Sequence, residues 1–305
     1  MIHNDMIHIA VNIDSRYVRF CAVTLVSIFE NNKGEQFFIH VLCSTLTADE
    51  KKLITDLVDT YHSKVAFYEP NEELLRGFAI RKFSKRISLA TYYRCFLAAI
   101  LPAEVNRVIY LDCDILVLGA LRPLWEEPLD GLGVAVVRDT AANDVRRYEV
   151  LQYPASYSYF NAGVFLANLD FWRSEDITMQ SVTLYHDYPE RIIYNDQDIL
   201  NILFCKQKKE VSAVWNMQDG FYRTYRTDGM EISTEELKHP VVLHFTNRKP
   251  WEYDNQHPLR HLFFNYQDLT PWKGFSPFSF LGRLKRFLRL FPFYVHLRKP
   301  KYIRI

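Results

Sequence analysis

Short runs of apolar, β-branched residues alternate with amphipathic stretches over residues 7–139. Five of the runs read as strands, namely "IHIAVNI", "FFIHVLCS", "KVAFYE", "RVIYLD" and "GVAVVRD". Between them, apolar positions recur every three or four residues, which predicts helices over residues 17–31, 47–62 and 89–100. Thr47 and Glu50 have the spacing of a capping box, so the second helix is expected to begin there.

Strands that alternate with helices predict an α/β domain with a largely parallel sheet covered on both faces. Sheets of this kind bind ligands beyond the carboxyl ends of their strands. The chain has 305 residues, of which 49% are apolar and 24% charged, enough for one large domain with an appendage. We therefore expect a domain of residues 1–272 and a tail of residues 273–305.

The tail has its own hydrophobic pattern. Six apolar residues recur at helical spacing: Phe280, Leu281, Leu284, Phe287, Leu288 and Phe291. Basic residues occupy the other side, and Pro292 ends the pattern. This predicts a helix that lies on an anionic membrane surface without crossing it. The alternative is a helix folded back onto the body. The density of phenylalanine disfavours a nucleic-acid-binding tail.

Charge and cysteine content indicate the setting of the protein. Eight of the 37 basic residues and none of the 36 acidic residues lie in residues 276–305, so a basic tail follows an acidic body. The five cysteines occur singly among apolar residues, which indicates a reducing compartment. Because there is no signal-peptide pattern and no run of about 18 apolar residues, we expect a cytoplasmic protein.

The fourth apolar run ends at two aspartates, Asp112 and Asp114, which are one residue apart. Alternate residues of a strand point the same way, so the two carboxylates are expected to lie together. Neighbouring carboxylates repel each other unless a cation lies between them, and their hard oxygens suit Mg²⁺ or Mn²⁺. The alternative is an aspartate-rich turn without a metal.

Five further segments accompany this D-x-D motif in a fixed order: "NIDSRYVRF", "SLATYYRCFLAAILP", "YFNAGVFLANLDFW", "YNDQDILNILF" and "VLHFTNRKPW". Together they resemble glycosyltransferase family 8, in the style of bacterial lipopolysaccharide galactosyl- and glucosyltransferases, over roughly residues 7–272. The resemblance implies a GT-A fold, a Rossmann-like nucleotide-diphospho-sugar transferase domain. It also implies retaining transfer of galactose or glucose from a UDP-sugar to a lipopolysaccharide core or related glycolipid, with Mn²⁺ or Mg²⁺ as cofactor.

By this resemblance, Asp112, Asp114 and His244 are the metal ligands. The alternative for His244 is a core histidine at a strand end. The implied donor site is spread over all the segments: Asn12, Asp14, Tyr17, Arg94, Asp112, Asp139, Asn161, Ala162, Asp196, Gln197, Asn247 and Lys249. Asp14 matches the carboxylate that accepts from the uracil N–H, and Lys249 is expected to reach a phosphate. For three of these residues a structural role is the alternative. Tyr17 could be a core aromatic, Asp139 a turn residue at a strand end, and Asp196 a helix N-cap.

Asp196 and Gln197 have the catalytic roles in this resemblance. Asp196 would hold hydroxyls of the donor sugar, and Gln197 would lie nearest the anomeric carbon. Because a glutamine is a poor nucleophile, one mechanism is front-face transfer, in which the acceptor hydroxyl attacks as UDP leaves. Double displacement through Asp196 is the other mechanism.

Three positions depart from the family pattern. Ser15 and Arg16 replace the usual aspartate and asparagine, and Asn247 stands where a glycine is common, in a loop one residue shorter. A non-catalytic UDP-sugar-binding protein is therefore one alternative. A metal-dependent nucleotidyl- or phosphotransferase is another, although the sequence has no glycine-rich loop of the kind that cradles phosphates.

Overall fold

The computed structural model describes residues 6–70, 72–80, 88–226, 228–276, 278–295, 297 and 299–305. Its strands are β1 (Ile7–Ile13), β2 (Phe37–Cys43), β3 (Lys64–Tyr68), β4 (Arg107–Leu111), β5 (Ile115–Val117), β6 (Val134–Arg138), β7 (Phe160–Asn168), β8 (Lys208–Glu210), β9 (Met217–Gln218) and β10 (Val242–His244). Its α-helices are α1 (Val18–Asn31), α2 (Ala48–Thr60), α3 (Leu97–Ile100), α4 (Arg122–Trp125), α5 (Val145–Leu151), α6 (Leu169–Ser174), α7 (Ile177–Asp187), α8 (Asp196–Leu203), α9 (Thr234–Lys238), α10 (Arg260–Gln267) and α11 (Phe280–Tyr294).

A seven-stranded sheet forms the centre of the molecule, in the order β3-β2-β1-β4-β7-β6-β8. Strand β7 runs antiparallel to both of its neighbours, β4 and β6, while the other four pairings are parallel. Eight of the nine residues of β7 are buried, as expected for a central strand of a sheet covered on both faces. The predicted α/β class is confirmed, but the pattern of the sequence does not predict the reversed strand.

A second sheet of three strands, in the order β5-β10-β9, lies next to the end of β4. Only residues 112–114 separate β4 from β5, so the chain passes from the large sheet to the small one at that point. Strand β5 pairs antiparallel with β10, which places His244 opposite Ile115. Asp112 and Asp114 therefore lie in a turn between two sheets. The two carboxylates do lie close together, as expected. The expected reason, a shared strand face, is wrong, because a turn brings them together.

The predicted helices α1 and α2 are confirmed. Eleven of the 14 residues of α1 are buried, so it is a core helix. Helix α2 begins with the predicted capping box, in which the Glu50 N–H donates to Thr47 Oγ1 at 3.2 Å. Residues 89–100 differ from the prediction, because Leu89–Phe96 is a 3₁₀-helix and only Leu97–Ile100 is an α-helix.

The 3₁₀ winding has a consequence for side chains on Leu89–Phe96. Residues three apart are eclipsed in a 3₁₀-helix, so Thr91 and Arg94 project from the same side. Both contact Asp196: the Thr91 hydroxyl donates to Oδ1 at 2.7 Å, and Arg94 Nε lies 3.0 Å from Oδ2 in an ion pair, while its N–H donates to the Thr91 carbonyl at 3.2 Å. The tighter winding therefore presents a hydroxyl and a guanidinium to one carboxylate.

Helix α11 contacts the body through its polar side. Arg286 donates to the carbonyl oxygens of Tyr253 and Asn255, Arg289 donates to the Tyr253 hydroxyl at 2.7 Å, and Leu290 is buried. The six apolar residues of the tail pattern remain 44–81% exposed. The helix therefore does lie against the body, but its apolar side faces solvent.

The end of the chain returns to the body beyond α11. Tyr302 is buried, and its hydroxyl donates to Asp219 Oδ1 at 2.8 Å. Arg298, one of the basic residues of the tail, lies outside the described residues. None of the helices within the described ranges has the length and apolar character needed to cross a bilayer.

Candidate active site

A cleft of 560 Å³ opens at the edge of the large sheet where β1 and β4 end and β7 begins. Residues that the sequence assigns to the site make up much of its lining: Asn12, Asp14, Tyr17, Arg94, Asp112, Asp114, Asn161, Asp196, Gln197, His244, Asn247 and Lys249. Two assigned residues, Asp139 and Ala162, are not part of this lining but bond to residues that are. Segments far apart in the chain therefore meet in one place.

Asp112, Asp114 and His244 each place one ligand-type atom within 4.8 Å of the others. Nε2 of His244 lies 3.2 Å from Asp114 Oδ1 and 4.0 Å from Asp112 Oδ2. Asp114 Oδ1 is buried and accepts no hydrogen bond from the described residues, as expected for an oxygen whose partner is an ion. Two carboxylates and one imidazole suit Mn²⁺, so these residues fit the predicted ion.

Lys249 supplies positive charge to this cluster. Its ammonium bonds to Asp114 Oδ2 and donates to the Phe245 carbonyl at 2.8 Å. Burial raises the pKa of the Asp114 carboxyl, but the neighbouring Lys249 and His244 outweigh burial and hold that pKa below its usual range. Lys249 is expected at a phosphate, and the structure places its ammonium on the Asp114 carboxylate at the wall of the cleft.

Gly163 lies directly beneath the cluster. A Cβ atom at this position would be 2.7 Å from Asp112 Oδ2 and would also overlap the His244 ring. The glycine N–H donates to Asn161 Oδ1 at 3.1 Å, and its carbonyl accepts from the Asp112 N–H at 2.9 Å. The close approach of β7 to the D-x-D turn therefore requires a residue without a side chain.

Arg94 connects the Asp112 side of the cleft with the Asp196 side. Its Nη2 donates to Asp112 Oδ1 at 2.7 Å, its Nη1 donates to the Ala162 carbonyl at 2.8 Å, and its Nε faces Asp196. The guanidinium also lies 4.6 Å from the ring centre of Tyr110. Burial opposes the charge of Arg94, but the two carboxylates outweigh it, so its pKa lies well above the ordinary value.

Gln197 is held at both ends of its amide. Its Oε1 accepts from the Ala162 N–H at 3.0 Å, and its Nε2 donates to Asp139 Oδ2 at 3.3 Å. Asp139 also accepts from Asn161 Nδ2 at 3.1 Å and is 8% exposed. Asp139 and Ala162 thus hold cleft residues in place from behind.

The segment after β1 forms the opposite end of the cleft. Asp14 pairs with Arg16, whose Nη2 lies 2.6 Å from Oδ2, and Ser15 donates to Glu50 at 2.9 Å. The two residues that depart from the family pattern therefore bond within this loop and to α2. Tyr17 lines the cleft, and burial raises the pKa of its hydroxyl above the usual range.

The loop after β10 closes one side of the cleft. Asn247 belongs to the lining, and Trp251 stacks on Phe20 with ring centres 3.6 Å apart. Trp251 therefore anchors the loop to α1.

Sequence reasoning missed some residues of the site. Thr91 bonds to Asp196, and Asn216 bonds to His244. Asn195 lines the cleft. Asn195 adopts a positive φ of 55° immediately before α8. No spacing pattern marks Thr91 or Asn216, because their importance depends on partners that are distant in the chain.

A sequence model described as "Glycosyl transferase family 8" matches residues 8–255. The chain is 27% identical over 278 residues to General stress protein A of Bacillus subtilis, covering 88% of this chain and 96% of that protein. It is 26% identical over 274 residues to the lipopolysaccharide 1,3-galactosyltransferase of Salmonella typhimurium, covering 88% of this chain and 80% of that protein.

The fold is similar to the crystal structure of the galactosyltransferase LgtC in complex with donor and acceptor sugar analogs. The TM-score is 0.78 at 24% identity, covering 87% of this chain and 96% of that chain. The glycosyltransferase GlyE of Streptococcus pneumoniae gives a TM-score of 0.65 at 21% identity, covering 99% of this chain and 67% of that chain. At these identities the similarity establishes the fold.

Proposed function

This chain belongs to glycosyltransferase family 8, and from that premise we propose that it transfers galactose or glucose from a UDP-sugar to a glycan acceptor with retention of configuration. The predicted family and GT-A fold are confirmed, and the protein is a glycosyltransferase. The single observation that carries the more specific proposal is one cleft in which an Asp-Asp-His triad faces Asp196 and Gln197.

We assign the metal to Asp112, Asp114 and His244, with Mn²⁺ as the ion. When bound, such an ion neutralises the charge that develops on a departing diphosphate. Lys249 and Arg94 would add fixed positive charge at the same wall of the cleft, where each is held against a carboxylate of the triad. These two side chains would therefore orient the diphosphate toward the D-x-D turn.

At the catalytic side, the chain's own hydrogen bonds favour front-face transfer. Asp196 is 7% exposed; its Oδ1 accepts from the Thr91 hydroxyl, and its Oδ2 lies 3.0 Å from Arg94 Nε in an ion pair. A carboxylate engaged in this way is a poor nucleophile, so double displacement through Asp196 is disfavoured. Gln197, fixed by Ala162 and Asp139, would present a rigid amide to the reacting sugar rather than attack it.

For the acceptor, we propose a lipopolysaccharide core or a related glycolipid at the cytoplasmic face of the membrane. Two relatives of this chain are named lipopolysaccharide 1,3-galactosyltransferase and lipopolysaccharide 1,2-glucosyltransferase. The exposed apolar side of α11, flanked by basic residues, supplies a surface that would bind anionic lipid. Peripheral attachment would bring the cleft to an acceptor that is itself embedded in the membrane.

The decisive experiment measures UDP release from a panel of UDP-sugars, with Mn²⁺ and with a chelator. We expect slow release from UDP-galactose or UDP-glucose that requires Mn²⁺ and is lost in Asp114→Asn. Asp56→Asn is the matched control, because Asp56 is an exposed aspartate paired with Lys52 on α2. Release of UMP in place of UDP would indicate nucleotidyl- or phosphotransferase chemistry. UDP binding without turnover, with or without acceptor glycans, would indicate a non-catalytic protein.

A further inference from the structure

A second pocket, of 340 Å³, shares Tyr194 with the active-site cleft. Its other lining residues come from α5, from the residue before it and from the segment around the start of α8: Asp144, Arg146, Arg147, Val150, Leu151, Ile193 and Asp198. The volume lies within the range of about 300–1,000 Å³ that is usual for small-ligand pockets. Because Tyr194 belongs to both linings, its ring lies where the cleft and this pocket adjoin.

Arg147 lines this pocket and forms no ion pair with a carboxylate among the described residues. Its guanidinium carbon lies 4.1 Å from the ring centre of Tyr159 and 4.3 Å from that of Tyr194. Its Nε and Nη1 atoms are buried and have no hydrogen-bond partner among the described residues. Cation–π contact offsets part of the cost of burying the charge, but it leaves these N–H groups without an oxygen acceptor.

The carboxylates of the pocket are already engaged by other donors. Asp144 pairs with Arg146, whose Nε lies 3.0 Å from Oδ1. Asp198 accepts from the Tyr159 hydroxyl at 2.6 Å and from the backbone N–H of Tyr194, also at 2.6 Å. Neither aspartate therefore bonds to Arg147, whose guanidinium lies beside the Tyr194 ring.

We propose that this pocket binds an acidic sugar of the acceptor glycan, with a carboxylate or phosphate group on Arg147 and the sugar ring beside Tyr194. An oxyanion is the acceptor that a guanidinium binds most strongly, and an aromatic face suits the C–H face of a sugar. This inference rests on the proposed function and deepens it, because it names the chemical class of the acceptor.

The test is ligand-observed NMR titration of the UDP-saturated protein with methyl glucuronide, glucose 6-phosphate and methyl glucoside. We expect one or both acidic sugars to bind at least about tenfold more tightly than the neutral glucoside. Arg147→Met should remove that preference, and Arg147→Lys, which keeps the charge without the planar fork, should keep part of it. Comparison of methyl glucuronide with glucose 6-phosphate shows whether the pocket prefers a carboxylate or a phosphate group.

Controls distinguish failure of this inference from loss of the fold and from failure of the proposed function. Arg76→Met is the matched variant, because Arg76 is an exposed arginine paired with Glu73 outside both pockets, and it should retain the preference. UDP affinity, measured in the same samples, reports on the fold and on the donor site independently of acceptor binding. Equal binding of all three sugars, or an unchanged preference in Arg147→Met, would overturn the inference.

A different observation assigns a positioning role to Asn216, which is fully buried beside the metal-ligand cluster. Its Oδ1 lies 2.9 Å from His244 Nδ1, and its Nδ2 donates to Asn161 Oδ1 at 3.0 Å. Asn161 Oδ1 also accepts from the Gly163 N–H, and Asn161 Nδ2 donates to Asp139. Two amides thus link the imidazole to a backbone donor and to a carboxylate.

The two ends of this chain fix the orientation of both amides. A backbone N–H can only donate, so Asn161 must turn its oxygen toward Gly163, and Asn216 must then turn its nitrogen toward that oxygen. The Asn216 oxygen consequently faces His244, whose Nδ1 must carry the proton. We infer that Asn216 fixes the His244 ring by accepting from its Nδ1–H, so that Nε2 faces Asp112 and Asp114, where it would bind the ion.

Mn²⁺ affinity, measured by electron paramagnetic resonance of the free ion, tests this role without turnover. Asn216→Leu should weaken Mn²⁺ binding by about 10–100-fold, and Asn216→Asp, which keeps an acceptor for the Nδ1 proton, should recover part of the loss. Asn32→Leu is the matched control, a buried asparagine whose oxygen accepts from the Leu121 N–H. Should the leucine variant fail to fold, the ¹⁵N spectrum of His244 in the unsubstituted protein saturated with diamagnetic Mg²⁺ gives the answer. A proton on Nε2 in that Mg²⁺-bound state would refute the inference, as would unchanged Mn²⁺ affinity in a folded Asn216→Leu variant.

Discussion

Arg94 Nε lies 3.0 Å from Asp196 Oδ2, and the opposite side of the same guanidinium bonds to Asp112. One buried side chain therefore connects the Asp196 carboxylate with the first aspartate of the D-x-D turn. Because arginine presents its donors in a planar fork, it can satisfy both partners at once. A change at either end of the cleft is expected to affect the other through this residue.

Arg94→Lys should lower kcat by about 100-fold, because a single ammonium cannot reproduce the fork and one carboxylate loses its donor. The variant is expected to fold, since a positive charge remains between Asp112 and Asp196. Steady-state kinetics with the donor sugar measures the effect, and Arg76→Lys at the exposed pair with Glu73 is the control. A variant with normal kcat would show that the link between the two carboxylates is not used in the reaction.

Gly163→Ala should weaken Mn²⁺ binding by at least about tenfold, because the new methyl group would displace Asp112 or the His244 ring. Isothermal titration with Mn²⁺ measures the change. Gly119→Ala is the control: its Cβ would lie 3.3 Å from Val241 and so requires only a small adjustment. Equal Mn²⁺ affinities for Gly163→Ala and the unsubstituted protein would mean that the D-x-D turn can shift without loss of Mn²⁺ affinity.

Phe280→Ser combined with Phe287→Ser should reduce binding to anionic vesicles at least about tenfold, because these side chains are 81% and 53% exposed and are proposed to enter the lipid surface. Point substitution is preferable to deletion of the tail, since Tyr302 is buried against the body and bonds to Asp219. Vesicle sedimentation measures the effect, and UDP affinity should not change.

Leu53→Ser, at a 40% exposed position on α2, is the control for the loss of a surface apolar side chain. Vesicles of neutral lipid should bind the unsubstituted protein less well than anionic vesicles, because basic residues flank the apolar side of α11. Undiminished binding of the double variant to anionic vesicles would reject a membrane role for that side of the helix.

Stability should fall as the pH decreases from about 6.5 to about 3, partly because of His257. Burial lowers the pKa of this histidine to about 3, whereas an unfolded histidine titrates near 6.5. Within that window the unfolded chain binds a proton that the folded chain excludes, so unfolding becomes more favourable as the pH falls. His257→Phe should reduce the pH dependence of the unfolding free energy across this window.

His40 provides an internal comparison for the pH experiment. Burial, with a smaller contribution from His8, lowers the pKa of His40 to about 3 as well, so part of the dependence should remain in His257→Phe. Each such histidine contributes at most about 1.4 kcal/mol per pH unit. Denaturant unfolding at several pH values measures the slope, with His239→Gln at an exposed position as control. An identical slope in His257→Phe would exclude this histidine as a source.

Much of the fold follows from local patterns in the sequence. The runs that became β1 to β4 and β6, and the capping box of α2, are encoded by residues close together in the chain, so the pattern predicts them directly. The antiparallel direction of β7 is different, because direction depends on which strands it pairs with and not on its own apolar residues. The 3₁₀ winding of Leu89–Phe96 also involves a residue distant in the chain, because it accompanies the contacts of Thr91 and Arg94 with Asp196.

The sequence by itself determined the family, the α/β class and the identity of most cleft residues, because these depend on residue types in a fixed order along the chain. Only the tertiary structure decided how those residues cooperate. It placed the two aspartates in a turn between sheets, put Asp139 behind Gln197, and brought Asn216 to His244 and Arg147 to Tyr194. Hydrogen bonds and ring contacts of this kind join residues that are distant in sequence, and their geometry exists only once the strands have paired.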